Sequence, residues 1–120
     1  MVTNVTSFGR SGLFDWVIQR VSAVILAAYT LCILGWFFQG DVNFAAWTAM
    51  FESTSMRIFS LLALLSLVAH AWIGIWTVST DYLTPLSLGK KATAVRFIFQ
   101  TGCAILLFVY LVWGIQILWG

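Results

Sequence analysis

The sequence predicts an all-α membrane protein with three transmembrane helices packed in a bundle. Of its 120 residues, 62% are hydrophobic and only 8% are charged. A soluble domain of this length could not cover so much apolar surface with polar groups. Three stretches without charged residues, at 21–38, 58–80 and 97–120, are each long enough to cross a bilayer as a helix.

The transmembrane helices, with their flanking turns, are predicted at about 16–38, 57–81 and 95–119, and they form one membrane anchor domain. The polar residues at 15–20 supply the first turns of the first helix. Pro85 disfavours a helical conformation for the residue before it, so the second helix must end nearby. Trp113 and Trp119 are typical of aromatic residues that hold a helix end at a membrane interface.

The connection between the first two spans contains a pattern of its own. Phe44, Trp47 and Phe51 recur at helical spacing with polar residues between them, which predicts a short helix at about 43–52 lying on the membrane surface. The serine and threonine residues at 53–55 then offer N-caps for the second transmembrane helix.

The positions of the basic residues predict how the bundle is oriented. Five of the six, Arg10, Arg20, Lys90, Lys91 and Arg96, precede the first span or lie between the second and third, whereas the loop at 39–57 holds one basic and two acidic residues. By the positive-inside rule the N-terminus and the second connection are cytoplasmic, and the C-terminus is on the far side of the membrane. The basic residues are dispersed and form no basic patch, which gives no support to nucleic-acid binding.

His70, the single histidine, is the thirteenth of the twenty-three residues at 58–80, near the bilayer midplane. A titratable side chain at that depth needs a partner within protein and is a functional hypothesis by default. An axial bond to haem iron would satisfy one ring nitrogen, and so would an interhelical hydrogen bond of structural value only. Ser66 lies on the same helix face and could accept the other ring proton, while Gly74 leaves clearance for a macrocycle or a neighbouring helix.

A six-coordinate haem would need a second axial ligand that this chain does not offer. The sequence has no other histidine, and the second and third spans contain no methionine. The haem, if bound, would therefore lie at the interface with another chain.

Asp81 and Tyr82 form a second polar cluster, about 18 Å from His70 along a continuous helix. A carboxylate is unfavourable in the last turn of a helix, and such a local conflict points to a functional site. Tyr82 is either an interfacial anchor or a donor to the carbonyl of a lipid-soluble quinone. Arg20 is either a snorkelling arginine or a clamp for a haem propionate or for charge at the quinone site.

Several of these residues also carry a family resemblance. They are His70, Ala71, Trp72, Ile73, Gly74, Trp76, Asp81, Tyr82, Pro85 and Leu86, together with Gly9, Arg10, Gly12, Asp15 and Arg20. In this pattern the chain resembles the hydrophobic membrane anchor subunits of bacterial succinate dehydrogenase, which is respiratory complex II.

The resemblance implies a four-subunit complex of the bacterial inner membrane, with the C-terminus of this chain in the periplasm, in which this chain performs no dehydrogenase chemistry. A flavoprotein and an iron-sulfur subunit would oxidise succinate, and this chain and a second cytochrome b anchor would bind haem b and ubiquinone. His70 would be one axial haem ligand, opposite a histidine of the second anchor. Tyr82 would bond a ubiquinone carbonyl, with Asp81 beside it, in electron transfer that joins the tricarboxylic acid cycle to the respiratory chain.

Three other functions are compatible with the sequence, and one of them is a purely structural anchor without a cofactor. A fumarate reductase-type anchor that uses menaquinone would share the same layout. A small transporter component, in which His70 relays protons, belongs to a different class, but the three spans hold no carboxylate with which to build a proton path.

Overall fold

The computed structural model describes residues 12–120, and all regular structure within them is helical. The elements are α1 (Gly12–Phe38), α2 (Phe44–Glu52), α3 (Thr54–Tyr82), α4 (Pro85–Leu88), a 3₁₀ turn (Gly89–Lys91) and α5 (Ala92–Trp119). Three helical segments, Gly12–Phe38, Thr54–Tyr82 and Pro85–Trp119, are long and apolar enough to cross a membrane. The expectation of an all-α protein with three spans is confirmed. Gly9 and Arg10 lie outside the described residues.

Each long helix begins three or four residues earlier than the sequence predicted. For α3 the reason is visible, because Ser53 Oγ accepts a hydrogen bond from the Met56 N–H at 3.3 Å and caps the helix at Thr54. Asn43 caps α2 in the same way, because its Oδ1 accepts a hydrogen bond from the Ala46 N–H at 2.8 Å.

The central helix of the bundle is α3, which packs against both α1 and α5. The residues buried along α1 and α3 are small or slender: Ser22, Met56, Ser60, Ala63, Ser66 and Ser79. Small side chains allow membrane helices to approach closely, and they leave the larger apolar side chains on the outside. The outer surface is accordingly rich in exposed leucine, isoleucine, valine and phenylalanine, which only lipid or another apolar chain can cover.

The short helix α2 folds back against the end of α1. Its Trp47 ring lies 5.5 Å from the ring of Trp36 and 5.4 Å from that of Phe37, between ring centroids. Phe51 packs on the other side of Trp47, at 4.7 Å. Edge-to-face aromatic contacts of this kind stabilise beyond their buried area. They fix α2 across one end of the bundle, while its position on a membrane surface stays a prediction.

Gly114 marks a close approach between α5 and α3. A Cβ atom at this position would lie 2.6 Å from Leu64 Cδ2. We therefore expect Gly114→Ile to cost about 1–3 kcal/mol by overpacking, measured as a lower melting temperature of the purified complex. Gly102→Ile is the matched control on the same helix, because a Cβ at residue 102 would meet nothing within 4 Å. Equal melting temperatures for the two variants would contradict this packing.

Candidate functional site

His70 projects from α3 toward α1, where its Nδ1 lies 3.1 Å from Ser22 Oγ. Ser22 is buried, with 3% of its surface exposed, and its hydroxyl also donates to the carbonyl oxygen of Gln19 at 3.1 Å. The interhelical hydrogen bond thus joins the one histidine of the chain to the first span.

The two contacts of Ser22 favour one tautomer of the His70 imidazole. When the one proton of the serine hydroxyl is directed at the Gln19 carbonyl, Ser22 Oγ can bond His70 only as an acceptor. Nδ1–H of His70 is then the donor to Ser22 Oγ. The neutral imidazole then has an unprotonated Nε2, which makes no hydrogen bond to any of residues 12–120. A histidine in this tautomer, with Nδ1–H held by an acceptor, is the form that binds a metal ion through Nε2.

The hydrogen-bond partner of His70 differs from the residue that the sequence suggested. Ser66, one turn away on the same helix, does not bond the imidazole, and Ser22 of α1 does so instead. The sequence did contain an indication of this partner, since Ser22 is the one polar residue at 21–28. It was missed because the partner of Ser22 lies on a different helix, forty-eight residues away in the sequence.

The clearance at Gly74 is used by a neighbouring side chain. A Cβ atom at Gly74 would lie 3.9 Å from Gln19 Nε2, an ordinary van der Waals distance. The Oε1 atom of Gln19 is buried and has no hydrogen-bond partner within residues 12–120. A larger residue such as alanine would fit at position 74 beside Gln19, so the described part of the chain gives no steric reason for the glycine.

Tyr82 is the last residue of α3, and its side chain points away from the bundle. It is 72% exposed, and its hydroxyl group makes no hydrogen bond within the described part of the chain. Asp81, beside it, is also exposed. Both side chains are free to meet a ligand or a partner protein at this end of the helix.

The first turns of α5 hold the end of α3 in place. Arg96 donates from Nε and Nη2 to the Leu83 carbonyl oxygen, at 3.2 and 2.8 Å. Gln100 Nε2 donates to the hydroxyl of Ser79, which is fully buried, at 2.6 Å. No role for Arg96 or Gln100 was predicted at this helix end, although they are polar residues one turn apart at the start of an apolar helix. They set the position of the backbone that carries Tyr82.

Arg20 stacks on an aromatic ring of its own helix. Its guanidinium carbon lies 5.1 Å from the centroid of the Trp16 ring, a cation–π geometry. It forms no ion pair with Asp81 among the described residues, so the structure does not bring these two candidates together. Within residues 12–120 there is also no cluster of three His, Cys, Asp or Glu side chains that could hold a metal ion.

Comparison with known proteins identifies the family. No protein-family model matches the chain. The chain is 33% identical, over 111 residues, to the succinate dehydrogenase hydrophobic membrane anchor subunit of Coxiella burnetii. The match covers 92% of this chain and 90% of that protein. Together with the three apolar helices, this identity shows that the chain belongs to the family of succinate dehydrogenase hydrophobic membrane anchor subunits.

Proposed function

We propose that this chain binds haem b through His70 and ubiquinone through Tyr82, as a membrane anchor of a bacterial succinate dehydrogenase. The observation that carries the proposal is the imidazole of His70, whose Nδ1 lies 3.1 Å from Ser22 Oγ and whose Nε2 has no partner within residues 12–120. A histidine with only a structural role would use its hydrogen-bonding groups within the bundle. Here one nitrogen is anchored and the other is left with a lone pair.

The imidazole nitrogen of His70 is chemically suited to bind haem iron. Neutral imidazole is a common axial ligand of haem iron, and a hydrogen bond at the far nitrogen fixes the ring orientation and raises its basicity. A second axial ligand would come from a histidine of the other cytochrome b anchor. Haem b, when bound, supplies a one-electron redox centre within the membrane. Arg20 lies in the first span with no hydrogen bond to the described residues and is free to meet a propionate or charge at the quinone site.

Ubiquinone is the substrate expected at the Tyr82 end. The exposed phenol can donate to a quinone carbonyl oxygen, and the anchoring of this helix end by Arg96 keeps the donor in a defined place. Reduction of a quinone to a quinol consumes two electrons and two protons. The electrons would come from the iron-sulfur subunit, and Asp81, next to Tyr82, would assist proton entry from the cytoplasmic side. Succinate oxidation itself belongs to the flavoprotein.

An optical redox titration of the purified complex tests the haem assignment. The wild type is expected to show a b-type band after dithionite reduction. In Ser22→Ala the Nδ1–H of His70 loses its acceptor, so the ligand becomes less basic and the midpoint potential is expected to rise. Haem affinity should fall about 10–100-fold, as is typical when such a supporting hydrogen bond is removed.

Two variants serve as matched controls. Ser22→Thr keeps the hydroxyl group, and Ser66→Ala removes a hydroxyl group that does not bond His70. Both should titrate as the wild type does. A complex without any b-type band would overturn the haem assignment, and a Ser22→Ala variant with unchanged potential and haem content would remove Ser22 from it.

A further inference from the structure

A cavity of about 670 Å³ lies at the end of the bundle opposite Tyr82, between α2, α3 and the end of α5. Its lining has a polar part and an apolar part. The polar side chains lie where α2 meets α3 and belong to Thr48, Glu52 and Arg57. The apolar part includes leucine side chains such as Leu64 and Leu118. The polar part and the apolar part together give the cavity an amphipathic character.

Arg57 is the unusual residue of this cavity. Within residues 12–120 its buried Nε atom has no hydrogen-bond partner and its guanidinium group forms no ion pair. Arg57 is half-buried, and a charge in that position is normally neutralised because desolvation is costly without a counter-charge. Glu52 lines the same cavity but is exposed, and it has no ionic partner in the described part of the chain. The chain thus presents one positive and one negative group to a common space, and neither is neutralised by a described residue.

The depth of Arg57 corresponds to the headgroup region of a bilayer. It lies thirteen residues from His70 on α3, or about 20 Å along the helix axis. A bilayer extends roughly 20–22 Å from its midplane to the outer edge of its headgroups. With His70 near the midplane, Arg57 lies at the level of lipid phosphates.

The apolar wall of the cavity has the length of one lipid leaflet. From Arg57 it follows α3 as far as Leu67, about 15 Å along the axis, which is half of the hydrocarbon thickness. Ser60 on this wall and Tyr29 on the neighbouring α1 hydrogen-bond each other at 2.7 Å. This bond reduces the polarity that the two hydroxyl groups present to an acyl chain.

We propose that this cavity binds one zwitterionic glycerophospholipid with an ethanolamine headgroup. The phosphate bonds Arg57, since a guanidinium group binds phosphate through several parallel donors. The ammonium group lies toward Glu52, and an acyl chain follows the wall to Leu67. A headgroup without an ammonium group would bring its phosphate toward the carboxylate of Glu52 with no positive charge between them, and a neutral quinone would offer Arg57 no anion. The site is independent of the haem and quinone assignments.

Native mass spectrometry of the intact purified complex tests this proposal. Delipidated complex is incubated with phosphatidylethanolamine or phosphatidylglycerol of equal chain length, and bound lipids are counted. The wild type is expected to retain one phosphatidylethanolamine preferentially. Arg57→Gln should weaken this binding about tenfold or more, as expected for the loss of a charge-assisted hydrogen bond. Arg57→Lys should restore part of the affinity, which separates the loss of lipid from a failure to fold.

Two further variants make the test specific. Glu52→Gln should reduce the preference for phosphatidylethanolamine over phosphatidylglycerol, because the carboxylate no longer favours the ammonium group. Lys90→Gln removes an exposed positive charge at the other end of the bundle and should leave lipid binding unchanged. Equal lipid retention by the wild type and Arg57→Gln would overturn the proposal, as would density for a quinone or a partner helix in the cavity.

Discussion

Replacement of His70 by alanine is expected to abolish the b-type band in the dithionite-reduced minus oxidised spectrum of the purified complex. Loss of the imidazole removes one of the two axial bonds, and residues 12–120 offer no neighbouring cluster of metal ligands to replace it. Ser22 cannot substitute, because a neutral serine hydroxyl is a poor ligand and its proton is already directed at the Gln19 carbonyl. The effect should be the largest of any single substitution in the spans.

Two controls accompany the His70 variant. Thr77→Ala removes a hydroxyl group on the same face of α3, and that hydroxyl donates only to the Ile73 carbonyl of its own helix at 2.9 Å. Its spectrum should match the wild type. Imidazole added to His70→Gly should restore part of the b-type band, since a free imidazole can occupy the vacated space. A band that survives unchanged in His70→Ala would assign the axial ligand to another chain.

Tyr82→Phe is expected to lower succinate-dependent reduction of a ubiquinone analogue by about 3–10-fold. This range corresponds to the loss of one neutral hydrogen bond, on the order of 0.5–1.5 kcal/mol. The haem spectrum should stay unchanged, because Tyr82 lies twelve residues from His70 on α3, about 18 Å along the axis. The measurement compares quinone reduction with reduction of a water-soluble dye that accepts electrons from the soluble subunits.

Tyr110→Phe is the control for Tyr82→Phe. Tyr110 is likewise exposed on an apolar helix, but it lies well along α5, away from the Tyr82 end of the bundle. Removal of the Tyr110 hydroxyl group should change neither the rate of quinone reduction nor the rate of dye reduction. If Tyr82→Phe retained wild-type quinone kinetics, Tyr82 would be an aromatic anchor at the membrane interface and nothing more.

The sequence predicted the three spans well because membrane helices are specified by local properties. Length and absence of charge are read from adjacent residues, and α1, α3 and α5 differ from the expected ranges mainly at their first turns. Those turns depend on caps and on tertiary contacts. Ser53, for example, was one of three adjacent candidates, and only its geometry shows that it caps α3.

The sequence identified the candidate functional residues by their residue type, but it did not identify the residues that they contact. His70 was conspicuous because an imidazole is rare and costly within a bilayer, and Tyr82 because it follows a carboxylate in the last turn of a helix. Neither property identifies Ser22, Arg96 or Gln100, whose roles come from contacts with another helix. A small serine in an apolar span has no distinguishing pattern of its own.

The sequence by itself predicted that this protein is helical and lies in a membrane, and it contains one histidine near the middle of an apolar span. Only the tertiary structure shows which nitrogen of His70 lies against Ser22, because that depends on a distance to a different helix. The same holds for Arg57, which shares a cavity with Glu52 because α1, α2, α3 and α5 come together around it. Hydropathy depends on residues that are adjacent in the chain, whereas hydrogen-bond partners and the surroundings of a charge depend on residues that are adjacent in space.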